Sequence, residues 1–147
     1  MSRLNHVQHV IKTFDSTPIE SFESVLLHIS GMRFRSEYEI LKKEDKAEIS
    51  EYEIRIVDRK DKRVLQRQTM CDLETILKLF NDCKLLSWDG FVGNHPKGVS
   101  DGTMFTLEAI LNGKRICAHG SENFPRHYQK LADGICTILA ESEQQES

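Results

Sequence analysis

Five polar side chains with ligating or catalytic chemistry fall in the second half of the chain: His95, Asp101, His119, Ser121 and His127. A hydroxyl, an imidazole and a carboxylate make a nucleophile, a base and an orienting group when they converge, so Ser121, His127 and Asp101 are a conceivable triad. Hydrolysis also needs donors for an oxyanion, and no G-x-S-x-G elbow is present. A metal would want three or four of these groups with oriented partners. The His119-x7-His127 spacing matches no helical pair of ligands. The four cysteines, Cys71, Cys83, Cys117 and Cys136, include no C-x-x-C. No catalytic residue, metal or cofactor is therefore assigned. The five residues stand as a candidate ligand-binding cluster at one end of a sheet, while His6 and His9 read as solvated.

Two of these groups, His95 and Asp101, lie in an unusual segment. Residues 89–102 hold four of the chain's eight glycines. Loops of that length in compact domains often carry function, although Trp88 and Phe91 could simply pin this one to the core. The run Gly93-Asn94-His95-Pro96-Lys97-Gly98 imitates the start of a phosphate-binding loop. It then continues Val99-Ser100 where Lys and Ser/Thr are required, and no helix N-terminus follows. Pro96 removes a backbone donor as well. Nucleotide binding is not expected there.

The elements that must position these groups follow from periodicity. The chain has 147 residues, 39% hydrophobic and 29% charged, with a net charge of -3. That is about one domain, with enough apolar surface to fold unaided. There is no basic excess of the kind a dedicated nucleic-acid binder shows. No apolar run is long enough to span a bilayer. Phe105, Leu107, Ala109 and Leu111 alternate with Thr106, Glu108 and Ile110, and Asn112-Gly113 supplies the positive φ angles of a tight hairpin turn. Residues 114–120 return, with Ile116 and Ala118 on one face. A helix begins at Asp72 and places Leu73, Ile76, Leu77 and Phe80 on one side. A second helix is predicted over 124–140, with Asn123 as cap and Pro125 in its first turn. Residues 22–30 fit a buried strand better than a helix, and Thr17-Pro18-Ile19-Glu20 resembles a capping box that one helical turn could use.

Residues 31–67 carry 20 of the 43 formal charges. Tyr52, Ile54 and Ile56 alternate with Glu53 and Arg55, and Tyr38 with Ile40 repeats the pattern. That alternation assigns Tyr38, Tyr52 and Phe105 to a core face, which leaves no exposed aromatic platform for RNA. Short polar connectors at 43–47 and 59–62 suit hairpins. The mixed signs favour cross-strand pairing over a nucleic-acid stripe. The expected fold is α+β: an antiparallel sheet of about five to six strands with two main helices packed on one face. An N-terminal arm (1–15) and a frayed polar tail (141–147) flank a single domain (16–140). The arm has no apolar stretch of signal-peptide length. The cysteines read as buried structural thiols, which together with the arm favours a cytoplasmic setting.

Leu85-Leu86-Ser87-Trp88-Asp89-Gly90-Phe91, then Val99-Ser100-Asp101-Gly102-Thr103-Met104-Phe105, then Asn112-Gly113 and Gly120 to Asn123-Phe124-Pro125 form a pattern. It resembles an uncharacterised group of small α+β domains from Firmicutes, some of them secreted or lipid-anchored. The resemblance implies a fold and a bacterial origin, and carries no activity. A non-catalytic bacterial protein-interaction domain is the function expected. It would act on an unknown protein partner or by self-association, with no nucleic acid and no membrane. The alternative is a small ligand- or metal-binding protein or hydrolase using the His/Asp/Ser cluster. A contiguous exposed apolar patch would favour the first, and convergence of three of the five side chains the second.

Overall fold

The computed structural model describes residues 17–98 and 102–146, with side chains as far as Glu141. The predicted arm, His6, His9 and Asp101 lie outside the described residues. The chain order is β1 (Phe22–Ser30), β2 (Arg35–Lys43), β3 (Lys46–Val57), β4 (Lys60–Asp72), α1 (Leu73–Asp82), a single 3-10 turn (Leu85–Trp88), β5 (Val92–Gly93), β6 (Met104–Leu111), β7 (Lys114–Ser121) and α2 (Tyr128–Glu146). The fold is α+β, as expected. Among the described residues the sheet has seven strands rather than five to six, in the order β4-β3-β2-β1-β6-β7-β5. All its pairings are antiparallel except that of β5, a two-residue strand lying parallel to β7. A two-residue parallel strand has no alternation for the sequence to show.

Cross-strand register turns the hydrophobic pattern into continuous rows. On one side, Thr69, Ile49, Ile40, Val25, Ala109 and Ile116 lie side by side from β4 to β7. Ile49, Ile40, Val25 and Ile116 are fully buried there. The fully buried Ile76 and Phe80 of α1, and Leu131, Ile135 and Leu139 of α2, complete the same core. Their spacing of four places each set on one helical face. A T-shaped contact between Phe80 and Phe22, at 5.3 Å, ties α1 to β1.

Tight turns hold the register. Asn112 and Gly113 both have positive φ, the turn their sequence predicts, and so do Asp58 and Arg59 between β3 and β4. Residues 17–20 form no helical turn. The backbone N–H and C=O of Ile19 instead bond the Asn81 amide of α1, and the N–H groups of Glu20 and Ser21 donate to Asn112 Oδ1. Two side-chain amides thus satisfy these backbone groups with no helical turn. The last helix starts at Tyr128, not 124, because His127 sits at φ 73, outside the right-handed helical region. It continues through residue 146, across the segment read as a tail.

The phase of β3 is a second correction. Tyr52, Ile54 and Ile56 face away from the helices, because their neighbours Glu51 and Ile49 occupy the core side. Arginine stems cover part of this misplaced apolar row. The Arg63 guanidinium lies 3.8 Å over the Tyr52 ring and reaches Glu37 at 3.0 Å. Arg35 forms a bidentate pair with Asp61, both bonds at 2.9 Å. Such stems shield apolar surface while their charged heads stay wet. Ile54 is 9% exposed, whereas Ile56 beyond it is 72% exposed.

The core side has a polar exception where Arg67, Glu51 and Tyr38 are neighbours beneath α2. Arg67 binds Glu51 through two bonds of 2.8 and 3.0 Å. The Tyr38 hydroxyl donates to the same carboxylate and sits 3.8 Å from the Cys136 sulfur of α2. Burial, then this carboxylate, raises the Tyr38 pKa. Hydrogen bonding from Arg67, and secondarily from Tyr38, holds Glu51 below the usual carboxylate range. A carboxyl whose folded pKa is depressed contributes stability above its unfolded pKa, and that contribution disappears as pH falls through the folded value. Glu51→Gln should therefore lower stability by about 1 kcal/mol at neutral pH and flatten the acid limb of stability against pH. Urea denaturation at a series of pH values checks both, and an unchanged acid limb would refute the assignment.

Candidate functional site

The segment 85–93 closes the outer edge of β7. Trp88, 1% exposed, is anchored by its indole N–H on the Cys83 carbonyl at 3.2 Å and packs edge-on against Phe105. The Cys117 N–H then donates to Asp89 Oδ1, the Gly90 N–H to the Cys117 carbonyl, and the His119 N–H to the Phe91 carbonyl. Val92 and Gly93 pair with His119 and Gly120. The strap thus satisfies backbone groups that a free sheet edge would expose.

One glycine of the strap and one of β7 serve close approach. A Cβ on Gly93 or on Gly120 would run into the backbone carbonyl of Asn123, which crosses above both. Further along, the Thr103 N–H donates to Glu122 Oε1 at 2.7 Å, and the Glu122 N–H donates to the Thr103 carbonyl at 2.8 Å. That exchange fixes the start of β6 against the end of β7.

Of the four candidate residues that are described, the structure brings two together. His95 Nδ1 lies 2.7 Å from Ser121 Oγ, across the gap between the glycine-rich segment and the end of β7. The imidazole paired with Ser121 is therefore His95, not His127. His127 belongs to the left-handed position that opens α2, where its carbonyl accepts from the Leu131 N–H. His119 is exposed two residues before Ser121, on the same side of β7. Asp101 lies outside the described residues. Among the described residues, no three His, Cys, Asp or Glu side chains converge as a metal-ligand set.

Alternation in β7 also places a group that sequence reasoning misassigned. Ile116 and Ala118 enter the core, so Cys117 faces out and is an exposed thiol rather than a buried structural one. Cys83 does behave as a structural thiol, with burial pushing its pKa up to about 11. Cys117 and His119 line a depression of about 370 Å³ with Thr106, Glu108 and the strap residues Gly90, Phe91 and Val92. A second one of about 370 Å³ lies on the same side of the sheet, between Leu26, Glu39, Glu108, Ile110 and Arg115. Neither is lined by His95, Ser121 or His127.

Among the described residues, no helix packs on this side of the sheet. Its rows read Gln68, Ser50, Glu39, Leu26, Glu108 and Cys117, then Leu65, Tyr52, Glu37, His28, Thr106 and His119. Glu37 lies 3.3 Å from His28 and 3.0 Å from Arg63, which also reaches Glu39 at 3.5 Å. Ile56, Leu65, Met70, Val92 and Met104 project from the same side as exposed large apolar groups. The geometry is that of a broad surface of mixed charged and apolar side chains with shallow depressions, and one imidazole–hydroxyl pair at its end.

No known family model matches the chain, and no curated protein is similar to it.

The close approach at Gly93 and Gly120 gives a direct test of the strap. Gly120→Ala should destabilise the fold by about 1–3 kcal/mol, because the obstructing atom is backbone and cannot rotate away. Lys97→Ala on the exposed part of the loop should be neutral within about 0.5 kcal/mol. Thermal unfolding of the two variants distinguishes them, and equal stability would overturn this account of the glycines.

Proposed function

We propose that the chain is a non-catalytic interaction domain that works through the helix-free side of its sheet. One observation carries this. Both helices pack on one side of a seven-stranded sheet, and five of its exposed large apolar side chains, Ile56, Leu65, Met70, Val92 and Met104, project from the other. Exposed apolar groups on a scaffold held rigid by core packing suit recognition of another macromolecule, since little ordering entropy is lost on contact. The partner is another protein or a second copy of this chain. A bacterial, cytoplasmic setting goes with this proposal. It draws on the resemblance of residues 85–125 to the Firmicutes domains and on four cysteines that are all free thiols.

A photo-crosslinking side chain at Met70, on the helix-free side, should yield adducts in cell extract or in concentrated pure protein. The same group at Thr137 of α2 should yield few, and equal labelling from both positions would refute the proposal.

The His95–Ser121 bond favours a second reading, a hydrolase with Ser121 as nucleophile. A fluorophosphonate probe separates the two. The interaction domain predicts no labelling, whereas labelling abolished in Ser121→Ala and His95→Ala would establish the enzyme instead.

A further inference from the structure

We infer that one end of the sheet is a docking surface for an anionic membrane; it shares Ile56 with the helix-free side but does not rest on the role proposed for that side. Two turns leave the sheet at this end. Residues 31–34 join β1 to β2, closed by the Gly31 N–H on the Phe34 carbonyl. The second is the tip of the β3–β4 hairpin. Pairing of β2 with β3 stops at Ser36 and Glu53, while β3 and β4 remain paired as far as Val57 and Lys60. Residues 54–63 therefore project beyond β2 as a two-stranded ribbon, and every residue from 55 to 63 is exposed.

The composition of these two tips is unlike that of the rest of the chain. Residues 55–63 hold five of the twenty Lys and Arg but two of the twenty-three Asp and Glu. Against a net charge of -3, the ribbon is a positive extension of an acidic body. Arg55 is paired with Glu53, and Arg35 with Asp61. No carboxylate among the described residues is within ion-pairing distance of Arg33, Arg59, Lys60 or Lys62. Between these cations stand Met32 at 71% exposure, Phe34 at 49%, Ile56 at 72% and Val57 at 44%.

Basic and apolar side chains on adjoining turns meet the two demands of a bilayer interface. Anionic headgroups attract each Lys or Arg, and the acyl boundary takes aliphatic and aromatic side chains out of water. Nucleic-acid phosphates would reward the cations but leave Met32, Ile56 and Val57 hydrated, since bases stack on aromatic rings and only Phe34 of these four side chains is aromatic. The expectation of no membrane rested on the lack of an apolar run long enough to span a bilayer. A surface contact needs no such segment.

Sedimentation of the full chain with vesicles tests this inference. Vesicles of equimolar phosphatidylcholine and phosphatidylglycerol should bind at least about tenfold more tightly than phosphatidylcholine alone, and added salt should weaken that binding. Arg59→Glu combined with Lys60→Glu should abolish the preference. Phe34→Asp combined with Ile56→Asp should weaken binding even at low salt. All four positions are exposed, and near-ultraviolet circular dichroism from Trp88 will verify that each variant is folded. Absence of anionic-vesicle binding, or binding unaltered in both variants, overturns the inference. So does retention of duplex DNA in place of vesicles, or a dimer that Ile56→Asp dissolves, since either gives these tips a different partner.

Discussion

A sheet that packs all its helices against one side places opposite demands on adjacent residues of every strand. The residue facing inward must be apolar and sized to its cross-strand neighbours; the next must tolerate water and remain paired. The row from Ile49 through Ile40, Val25 and Ala109 to Ile116 meets the first demand. The row from Gln68 through Ser50 and Glu39 to Glu108 and Cys117 meets the second. A slip of one residue in any strand would exchange the two rows, so the buried side strongly specifies register. Everything else in the fold, the helices and the strap included, is arranged around those inward rows.

At the two ends of the strand order the problem is different, because an edge leaves backbone groups unpaired. At β7 the strap of residues 89–93 covers the edge, and two glycines admit the Asn123 carbonyl above it. At β4 the edge is blunted instead. A bulge at Gln66 interrupts the ladder, and the Gln66 amide donates to the Val64 carbonyl of its own strand. Arg63 and Arg67 lie on either side. These are features that discourage pairing with another strand. Contacts made by this molecule are thus directed to side chains on its face and tips rather than to an open backbone ladder.

Much of this was legible in the sequence because it is encoded locally. Asn112-Gly113 specifies its turn, and the alternation through β6 gives the correct inward face. Leu73, Ile76, Leu77 and Phe80 declare α1. Failures came where the deciding interaction was distant. Alternation at Tyr52, Ile54 and Ile56 reveals that the segment is a strand but not which side is inward. That choice belongs to Ile49 earlier in the same strand, and Arg63 from β4 makes the outcome tolerable by stacking on Tyr52. The His127 conformation could not be read from Pro125 alone. For the candidate site, the four described residues of the cluster reduce to the His95–Ser121 pair. His127 was placed by the geometry that opens α2, and Cys117 is exposed by the same alternation that buries Ile116 and Ala118. Applied strictly to β7, that period of two would have put Cys117, His119 and Ser121 together on one side.

The charged strands explain how a one-sided sheet can leave apolar groups in water at its end without doing so along its middle. Over β2 and β3, guanidinium groups find carboxylates two strands away, as Arg63 does at Glu37 and Glu39, and their stems lie across the intervening apolar residues. Each such cover needs acceptors on the neighbouring strands. The last of them is Asp61, which holds Arg35 beside Ile54. Beyond that point β2 has ended and offers the ribbon's cations no facing carboxylate. Arg59, Lys60 and Lys62 then extend into solvent, and Ile56 is uncovered. The apolar and basic character of the tip is one consequence of one geometric fact, the excess length of β3 and β4 over β2. Shortening the ribbon would remove both properties together.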